Sequence, residues 1–509
     1  MSRSATTPCC ATSISEPTGE VLISILLLWL GGLLRAVPTA SPVPAAPTSV
    51  AAPDSLRRSV ADSLLHVQCA GYSSLRVGRI LFVGNRVTKE AVLRAELDFR
   101  ENDTLAAATV SRRLEANRRR LFNLQLFHQV LVQPVCRDGE LTILYSVQER
   151  WYIFPVPIFS LADRNFRSWL DRSDRWQRVD YGLHLVRRNF RGRNEQLLAN
   201  LQLGFNRKYE LFYEAPGYGR RRRVGFGAGY SYYRSHALDY ATVADRLQNL
   251  RQEQDFPIER QYVTAGIRWR RTVQHLTALD VSYHHERVSD SVLYYNPRYF
   301  LSGPQREYLE FGLVSTLNQR NTFAYPLTGQ YAQLGVTYRA FLTGRTPNSL
   351  TLRGRYARYV ALGGPLYYSA GATAQLRFAR SIAYPDDRAF GYDVLVRGYD
   401  AYVIEGRHLG LLQQGLTYRL LDLGKLQLDG LPSTRFNTIP LVFYLNTFAD
   451  VGYVRQPNVT AANVLPNRVL ASAGIALHLV TYYDWVFTLE YTRNREQQGG
   501  FFFRSQFPI

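Results

Sequence analysis

His284, His285 and Glu286 are the residues of this sequence that come nearest to a metal or catalytic centre. On a β-strand, alternate side chains point to opposite faces, so His284 and Glu286 would share a face while His285 points away. A zinc site uses three or four protein ligands, and no further ligand accompanies this pair. We therefore interpret the triplet as part of a polar wall and predict no metal site.

Motifs for covalent or cofactor chemistry are also missing. The sequence has no Cys-x-x-Cys pair, no phosphate-binding loop and no Gly-x-Ser-x-Gly elbow. Gly225, Gly227 and Gly229 alternate along one segment, which is typical of small wall residues in a strand. We predict neither an enzyme nor a bound cofactor. A barrel lipase that uses scattered Ser, His and Asp is the enzymatic alternative.

The charge distribution bears on the class of partner. The net charge is +20, and only three of the 61 Lys and Arg residues are Lys. Such a charge is typical of nucleic-acid binding, but the Arg residues are scattered through alternating segments and no reader motif accompanies them. Nucleic acid is therefore not a predicted partner. Anionic lipid headgroups or a polar lumen fit the charge better.

The N-terminal 70 residues predict targeting and a linker. An apolar run of 14 residues spans Val21–Leu34, which is short for a membrane-spanning helix of about 20 residues. Residues 1–40 are interpreted as a signal peptide, with an uncleaved anchor as the alternative. Residues 41–70 are rich in Pro and Ala and predict a linker.

Residues 71–150 predict a small α+β domain in the order β-α-α-β-β. Val77–Val83 forms the first strand, and Thr88 and Thr104 are each expected to cap a helix. Two strands follow, joined across Arg137-Asp138-Gly139, because an Asp-Gly pair between apolar runs is a hairpin signal.

Cys69 lies just before this domain and Cys136 lies within it, near its end. A disulfide between them is one interpretation, because an oxidising compartment would allow it. Two free, buried thiols are the other.

Period-two alternation dominates the rest of the chain. It runs for nine or more residues in segments such as Ala332–Ala340 and Tyr368–Phe378, with small and polar residues on the second face. Strands of about 9–11 residues cross a bilayer when tilted. We recognise about fifteen strands and expect about sixteen, because bacterial barrels have even strand numbers. Residues 151–177 are interpreted as a connector and 178–509 as a transmembrane antiparallel β-barrel.

Two motifs in order carry a family resemblance. Val396-Arg397-Gly398-Tyr399 lies in a long connection, and Phe448-x-Asp450-x-Gly452 lies on a later strand. Together with the preceding domain, they resemble the BamA/TamA-type outer-membrane assembly and translocation superfamily, also called the bacterial surface antigen family. The domain at 71–150 resembles that family's POTRA domain.

The resemblance implies that the long connection folds into the lumen and that Arg397 meets Asp450 on the inner wall as a latch. An Arg fork suits two-pronged pairing with a carboxylate. The proposed latch consists of Val396, Arg397, Gly398, Tyr399, Phe448, Asp450 and Gly452. Thr417 stands where the family often has Glu, so Arg397 is expected to have one acidic partner fewer.

The function implied is insertion of proteins into the bacterial outer membrane, or their translocation across it. The POTRA-like domain would lie in the periplasm and receive an unfolded or partly folded client. The implied partners are outer-membrane lipids, the client and periplasmic accessory proteins. The alternatives are a dedicated two-partner-type secretion pore and a plain channel or structural barrel.

Overall fold

The computed structural model describes residues 71–161, 175–219, 222–342, 346–427, 438–481 and 485–505. The predicted signal peptide, the linker and Cys69 lie outside the described residues. The chain divides into two compact units, of which the first ends at Glu149 and the second continues from Arg150. In the described ranges, no helix is both long and apolar enough to cross a membrane.

The first unit is a four-stranded sheet with helices on one face. Its elements are β1 (Ser74–Val83), α1 (Glu90–Arg94), β2 (Thr104–Ala106), a 3-10 turn (Ala107–Thr109), α2 (Val110–Asn123), β3 (Phe127–Arg137) and β4 (Glu140–Glu149). The sheet order is β2-β1-β4-β3, and only β1 and β4 are parallel. Helix α2 buries Val110, Leu114 and Leu121 at helical spacing, which fixes the face it presents to the sheet.

Two details of this unit differ from the prediction. Thr104 begins β2, a strand that the sequence did not predict, so α2 begins later, at Val110. Thr88 does not cap α1, because its Oγ1 donates to Glu149 at 2.6 Å. The predicted hairpin is confirmed, since Asp138 and Gly139 join β3 to β4 with φ values of 51° and 76°.

The second unit contains a sheet of 16 antiparallel strands, as predicted. The first eight are β5 (Ile153–Leu161), β6 (Val179–Phe190), β7 (Glu195–Gly204), β8 (Arg207–Tyr218), β9 (Val224–Ser235), β12 (Ile258–Thr272), β13 (His275–Val288) and β14 (Gln305–Asn318). The last eight are β15 (Gly329–Phe341), β16 (Ser349–Gly363), β17 (Leu366–Phe378), β20 (His408–Gln427), β21 (Thr438–Arg455), β22 (Val469–Val480), β23 (Val486–Asn494) and β24 (Gly499–Arg504).

Shorter elements lie in the connections between these strands. They are β10 (Ala237–Val243), β11 (Arg246–Arg251), α3 (Asp290–Tyr295), β18 (Arg388–Phe390), β19 (Ile404–Glu405) and 3-10 turns at Arg175–Arg178 and Tyr384–Asp386. We call residues 379–407, which join β17 to β20, the long loop.

The sheet is not closed. Strand β5 pairs only with β6 and β24 only with β23 among the described residues, so each has one edge without a strand partner. Strand β5 also corrects the domain prediction, because it lies inside the segment interpreted as a connector. It supplies the strand that the sequence pattern missed.

The two faces of this sheet differ in chemistry. On β13, Leu279, Val281 and Tyr283 are exposed, whereas the alternate residues Asp280 and His284 are buried. A broad exposed apolar face is typical of a lipid-contacting surface. We call the opposite, polar face the inner face, because the long loop packs against it. The 16 strands of this sheet together are called the wall.

Candidate functional site

The geometry centres on Arg397 of the long loop and Asp450 of β21. Arg397 Nε donates to Asp450 Oδ2 at 2.8 Å, and Arg397 Nη2 donates to Asp450 Oδ1. The backbone N–H of Arg397 donates to Asp450 Oδ2 at 3.1 Å. Both side chains are almost completely buried, with relative exposures of 2% and 0%. The loop is thus bound to the inner face by a bidentate, buried ion pair.

Neighbouring wall residues complete this pair. Gln413 lies opposite Asp450 on β20 and donates its Nε2 to Asp450 Oδ2 at 3.1 Å. The guanidinium of Arg397 lies 3.7 Å from the centre of the Phe448 ring, which is cation–π geometry. Thr417 accepts from Asn446 Nδ2 of β21 at 2.7 Å. Gln413, which the sequence did not single out, is therefore an additional partner of Asp450.

Glycines allow the close approach of loop and wall. A Cβ on Gly452 would lie 2.7 Å from Val396 Cγ2, closer than packed atoms allow. A Cβ on Gly398 would lie 2.7 Å from Thr492 Cγ2, and Gly398 has a φ of 81°, in the region that favours glycine. At Gly452 the close contact alone favours glycine. At Gly398 both the close contact and the positive φ favour it.

An apolar cluster surrounds the ion pair. It contains Phe390, Val394, Val396, Tyr399 and Ile404 from the loop, and Leu409, Leu411, Val454 and Leu470 from the wall. Burial of this apolar surface adds a non-directional attraction between the loop and β20–β22. The candidate residues of both motifs thus lie together in one contact region.

The same loop has a second attachment that the sequence did not predict. Asp386 Oδ2 accepts from Arg306 Nη1 of β14 at 2.5 Å, and its Oδ1 accepts from Arg339 Nη1 of β15 at 2.7 Å. Arg377 Nη1 donates to the Asp386 carbonyl oxygen. The loop is therefore held at two separate parts of the wall, near β14–β15 and near β21.

A third set of contacts joins the loop to the hairpin of β23 and β24, which we call the last hairpin. Tyr399 Oη donates to Glu496, Asn494 Nδ2 donates to the Gly398 carbonyl at 2.9 Å, and Tyr402 Oη donates to Gln498 Oε1 at 3.0 Å. Glu496 and Gln498 lie in the turn between β23 and β24, and Asn494 ends β23.

The β10–β11 hairpin also reaches this loop, through Asp245 at its tip. Asp245 Oδ2 accepts from the backbone of Val464 at 2.9 Å and of Leu465 at 3.2 Å, both in the β21–β22 connection. The Asp245 carbonyl accepts from Val403 N of the long loop at 2.9 Å. Three connections far apart in sequence are thus tied together at one residue, which we call the Asp245 tie.

The residues first considered for metal binding have other contacts. Glu286 forms an ion pair with Arg306 at 2.7 Å, and His284 bonds to Ser282 Oγ at 2.8 Å and stacks on Tyr308. No group of three potential metal ligands occurs in the described residues. Cys136 is disulfide-bonded, while Cys69, its partner in one of the two interpretations, lies outside the described residues.

Comparisons with known proteins agree with this architecture. Residues 75–150 match the POTRA family, described as a surface antigen variable number repeat, and residues 189–481 match the Omp85 superfamily domain. The chain belongs to the Omp85 superfamily. This is a non-enzymatic family of outer-membrane β-barrels that insert or translocate client proteins, which is also the function that the resemblance predicted.

Solved structures give matches at low identity. BamA from Haemophilus ducreyi lacking POTRA domains 1–3 is 16% identical with a TM-score of 0.46, and the match covers 85% of this chain and 83% of that one. CdiB from Acinetobacter baumannii is 15% identical with a TM-score of 0.45, covering 95% and 97% of the two chains. CdiB from Escherichia coli is 13% identical with a TM-score of 0.46, covering 93% and 92%. No curated protein matches the chain.

Proposed function

We propose that this protein inserts client proteins into the bacterial outer membrane, with its barrel in that membrane and its POTRA unit in the periplasm. The observation that carries the proposal is the unclosed sheet. Both β5 and β24 have an edge without a strand partner among the described residues. An unpaired strand edge presents a row of backbone N–H and C=O groups to which another strand can add. A client strand is the partner that this edge fits.

The POTRA unit would receive the client before it reaches the barrel. Strand β2 covers β1 only at Ser74, Leu75 and Arg76. Further along β1, side chains take the place of a strand, because Glu101 accepts from Ile80 N at 3.0 Å and Arg94 donates to Ile80 O at 3.1 Å. Strand addition uses main-chain hydrogen bonds of this kind. An extended client segment could therefore displace these two side chains and add to the sheet beside β1.

The long loop would act as a latch within the lumen. Its contacts with β14–β15, β21 and the last hairpin hold it against the inner face. The loop would keep the strands of the wall in the arrangement seen in this structure until a client binds. The reaction needs no cofactor and no covalent step, because strand pairing and lipid contact supply its free energy.

Depletion of the protein, followed by quantitative proteomics of isolated outer membranes, tests the proposal. We expect several β-barrel proteins to decrease together and to recover when the wild-type gene is restored. Asp393→Asn is a suitable control, because Asp393 lies in the same loop but is 42% exposed and 3.8 Å from Arg353. It should restore the proteome fully, whereas Asp450→Asn should not.

Two other outcomes would point elsewhere. Loss of a single secreted protein, with an unchanged membrane proteome, would indicate a two-partner-type secretion pore. An unchanged proteome and secretome, together with a steady conductance of the purified protein in planar bilayers, would indicate a plain channel. Either result would contradict the insertion proposal.

A further inference from the structure

The last strand of the sheet is held from its inner side by the long loop. Strand β24 has six residues and pairs with β23 from Arg493↔Gly499 to Thr488↔Arg504. Phe501 and Phe503 point to the exposed face, so the polar contacts of the strand's side chains depend on Arg504. A short strand with one bonded edge is marginal by itself, which makes any further attachment important.

Arg504 lies between two carboxylates of different origin. Its Nε donates to Glu490 Oε1 of β23 at 2.7 Å, and its Nη2 donates to Asp400 Oδ1 of the long loop at 2.5 Å. Glu490 belongs to the neighbouring strand and stays with the wall whatever the loop does. Asp400 belongs to the loop and leaves with it. The second contact therefore depends on where the loop is.

Asp400 is also fixed to the latch. It lies three residues after Arg397, and its Oδ2 accepts from the backbone N–H of Gly398 at 3.1 Å. Movement of Arg397 away from Asp450 would therefore carry Asp400 away from Arg504. One short segment thus connects β21, where the latch residue Asp450 lies, with β24, the terminal strand of the sheet.

We propose that Asp400 is a positioning residue that couples the long loop to the terminal strand. Through Arg504 it holds β24 in register on β23 while the loop is in place. Withdrawal of the loop leaves Arg504 with Glu490 alone, so that β24 can move and present its unpaired edge to an incoming client strand. The identity of that strand as a client rests on the function proposed above, but the coupling between loop and strand does not.

Hydrogen exchange of the purified full-length protein tests the coupling without any client. Asp400→Asn should make the β24 amides that donate to β23 exchange about tenfold faster, as expected for loss of a charge-assisted bond of about 1.4 kcal/mol. The amides of β22 should exchange as in the wild type. Asp400→Glu keeps the charge and should restore protection, and Asp393→Asn should have no effect.

Two further variants separate coupling from a merely local contact. Arg504→Gln should accelerate exchange of β24, and adding Asp400→Asn to it should cause little further change, because both remove the same interaction. Asp450→Asn should accelerate β24 exchange as well, although Asp450 lies on β21 and β24 pairs with β23. If Asp450→Asn releases the loop while β24 exchange stays at the wild-type rate, the coupling is wrong.

The coupling and the proposed function can fail separately. Unchanged β24 exchange in Asp400→Asn overturns the coupling, whatever depletion does to the proteome. Faster β24 exchange together with an unchanged proteome after depletion supports the coupling and overturns the insertion function.

Discussion

Replacement of Asp450 by Asn should release the long loop from the wall. The amide is nearly isosteric, but its NH₂ group would face an N–H donor, either Arg397 Nη2 or the donors that now meet Oδ2. Arg397 would then be buried without its counter-charge. Removing one partner of a buried ion pair costs about 3–5 kcal/mol. Because each 1.4 kcal/mol is about tenfold, the released population should rise by on the order of a hundredfold or more.

Limited trypsin digestion measures this release. Trypsin cleaves after exposed Arg, and Arg397 is buried in the resting loop. Cleavage that follows local opening tracks the population of the open form, so it should accelerate in Asp450→Asn in proportion to that population. Arg397→Ala should weaken the attachment of the loop to the wall in the same way, and heat-modifiable migration of the barrel in gels measures this effect.

The matched control for this experiment is Asp393→Asn, which changes an exposed carboxylate in the same loop. Wild-type cleavage rates at Arg397 in Asp450→Asn would show that the ion pair does not hold the loop. Equal acceleration in Asp393→Asn would show that the effect is not specific to the buried pair.

Three further predictions follow from the structure. Gly452→Ala should destabilise the contact between loop and sheet by about 1–3 kcal/mol, because the added methyl group overpacks against Val396. Gly354→Ala is the control, because its Cβ would meet nothing within 4 Å. Hydrogen exchange of the long loop should be faster in the first variant and unchanged in the second. Asp245→Ala should leave the backbone donors of Val464 and Leu465 unpaired and cost about 2 kcal/mol, so these two amides should exchange faster; unchanged exchange there would show that Asp245 does not hold the β21–β22 connection. In the POTRA unit, burial raises the pKa of Glu115, but its two partners Arg118 and Arg119 outweigh burial and lower the pKa to about 2. Glu115→Gln should therefore reduce the hydrogen-exchange protection of α2 by about 1 kcal/mol at pH 7, after allowance for solvent screening. This difference between variant and wild type should disappear as the pH falls from about 4.5 towards 2.

The sequence predicted the parts of the structure that depend on local pattern. Alternation is a property of neighbouring residues, so it identified most strands, whereas the place of Asp450 on the inner face was implied by the family resemblance. Strand β5 was missed because Pro155 and Pro157 argue against a strand, yet proline is tolerated on an edge strand, and β5 is one. Strand β2 was missed because three residues show no period.

The attachments of the long loop were less predictable. Asp386, Asp400 and Asp245 lie in connections without hydrophobic periodicity, and their partners come from distant parts of the chain. Asp400 and Arg504, for example, are 104 residues apart. An acidic residue in a connection is usually solvated, so no local signal distinguishes these three from Asp393. Only the fold shows which carboxylates are bound.

The Asp245 tie has a consequence for the order of events during folding. Asp245 and Leu465 are separated by 220 residues, and the strands that carry their connections, β9 and β21, lie far apart along the sheet. Contacts of such long separation form late, because loop closure must be completed before they can contribute. A nascent barrel therefore acquires this tie only after most of its wall has assembled. Variants that lack it should reach a native-like wall at the normal rate and differ only in the final step.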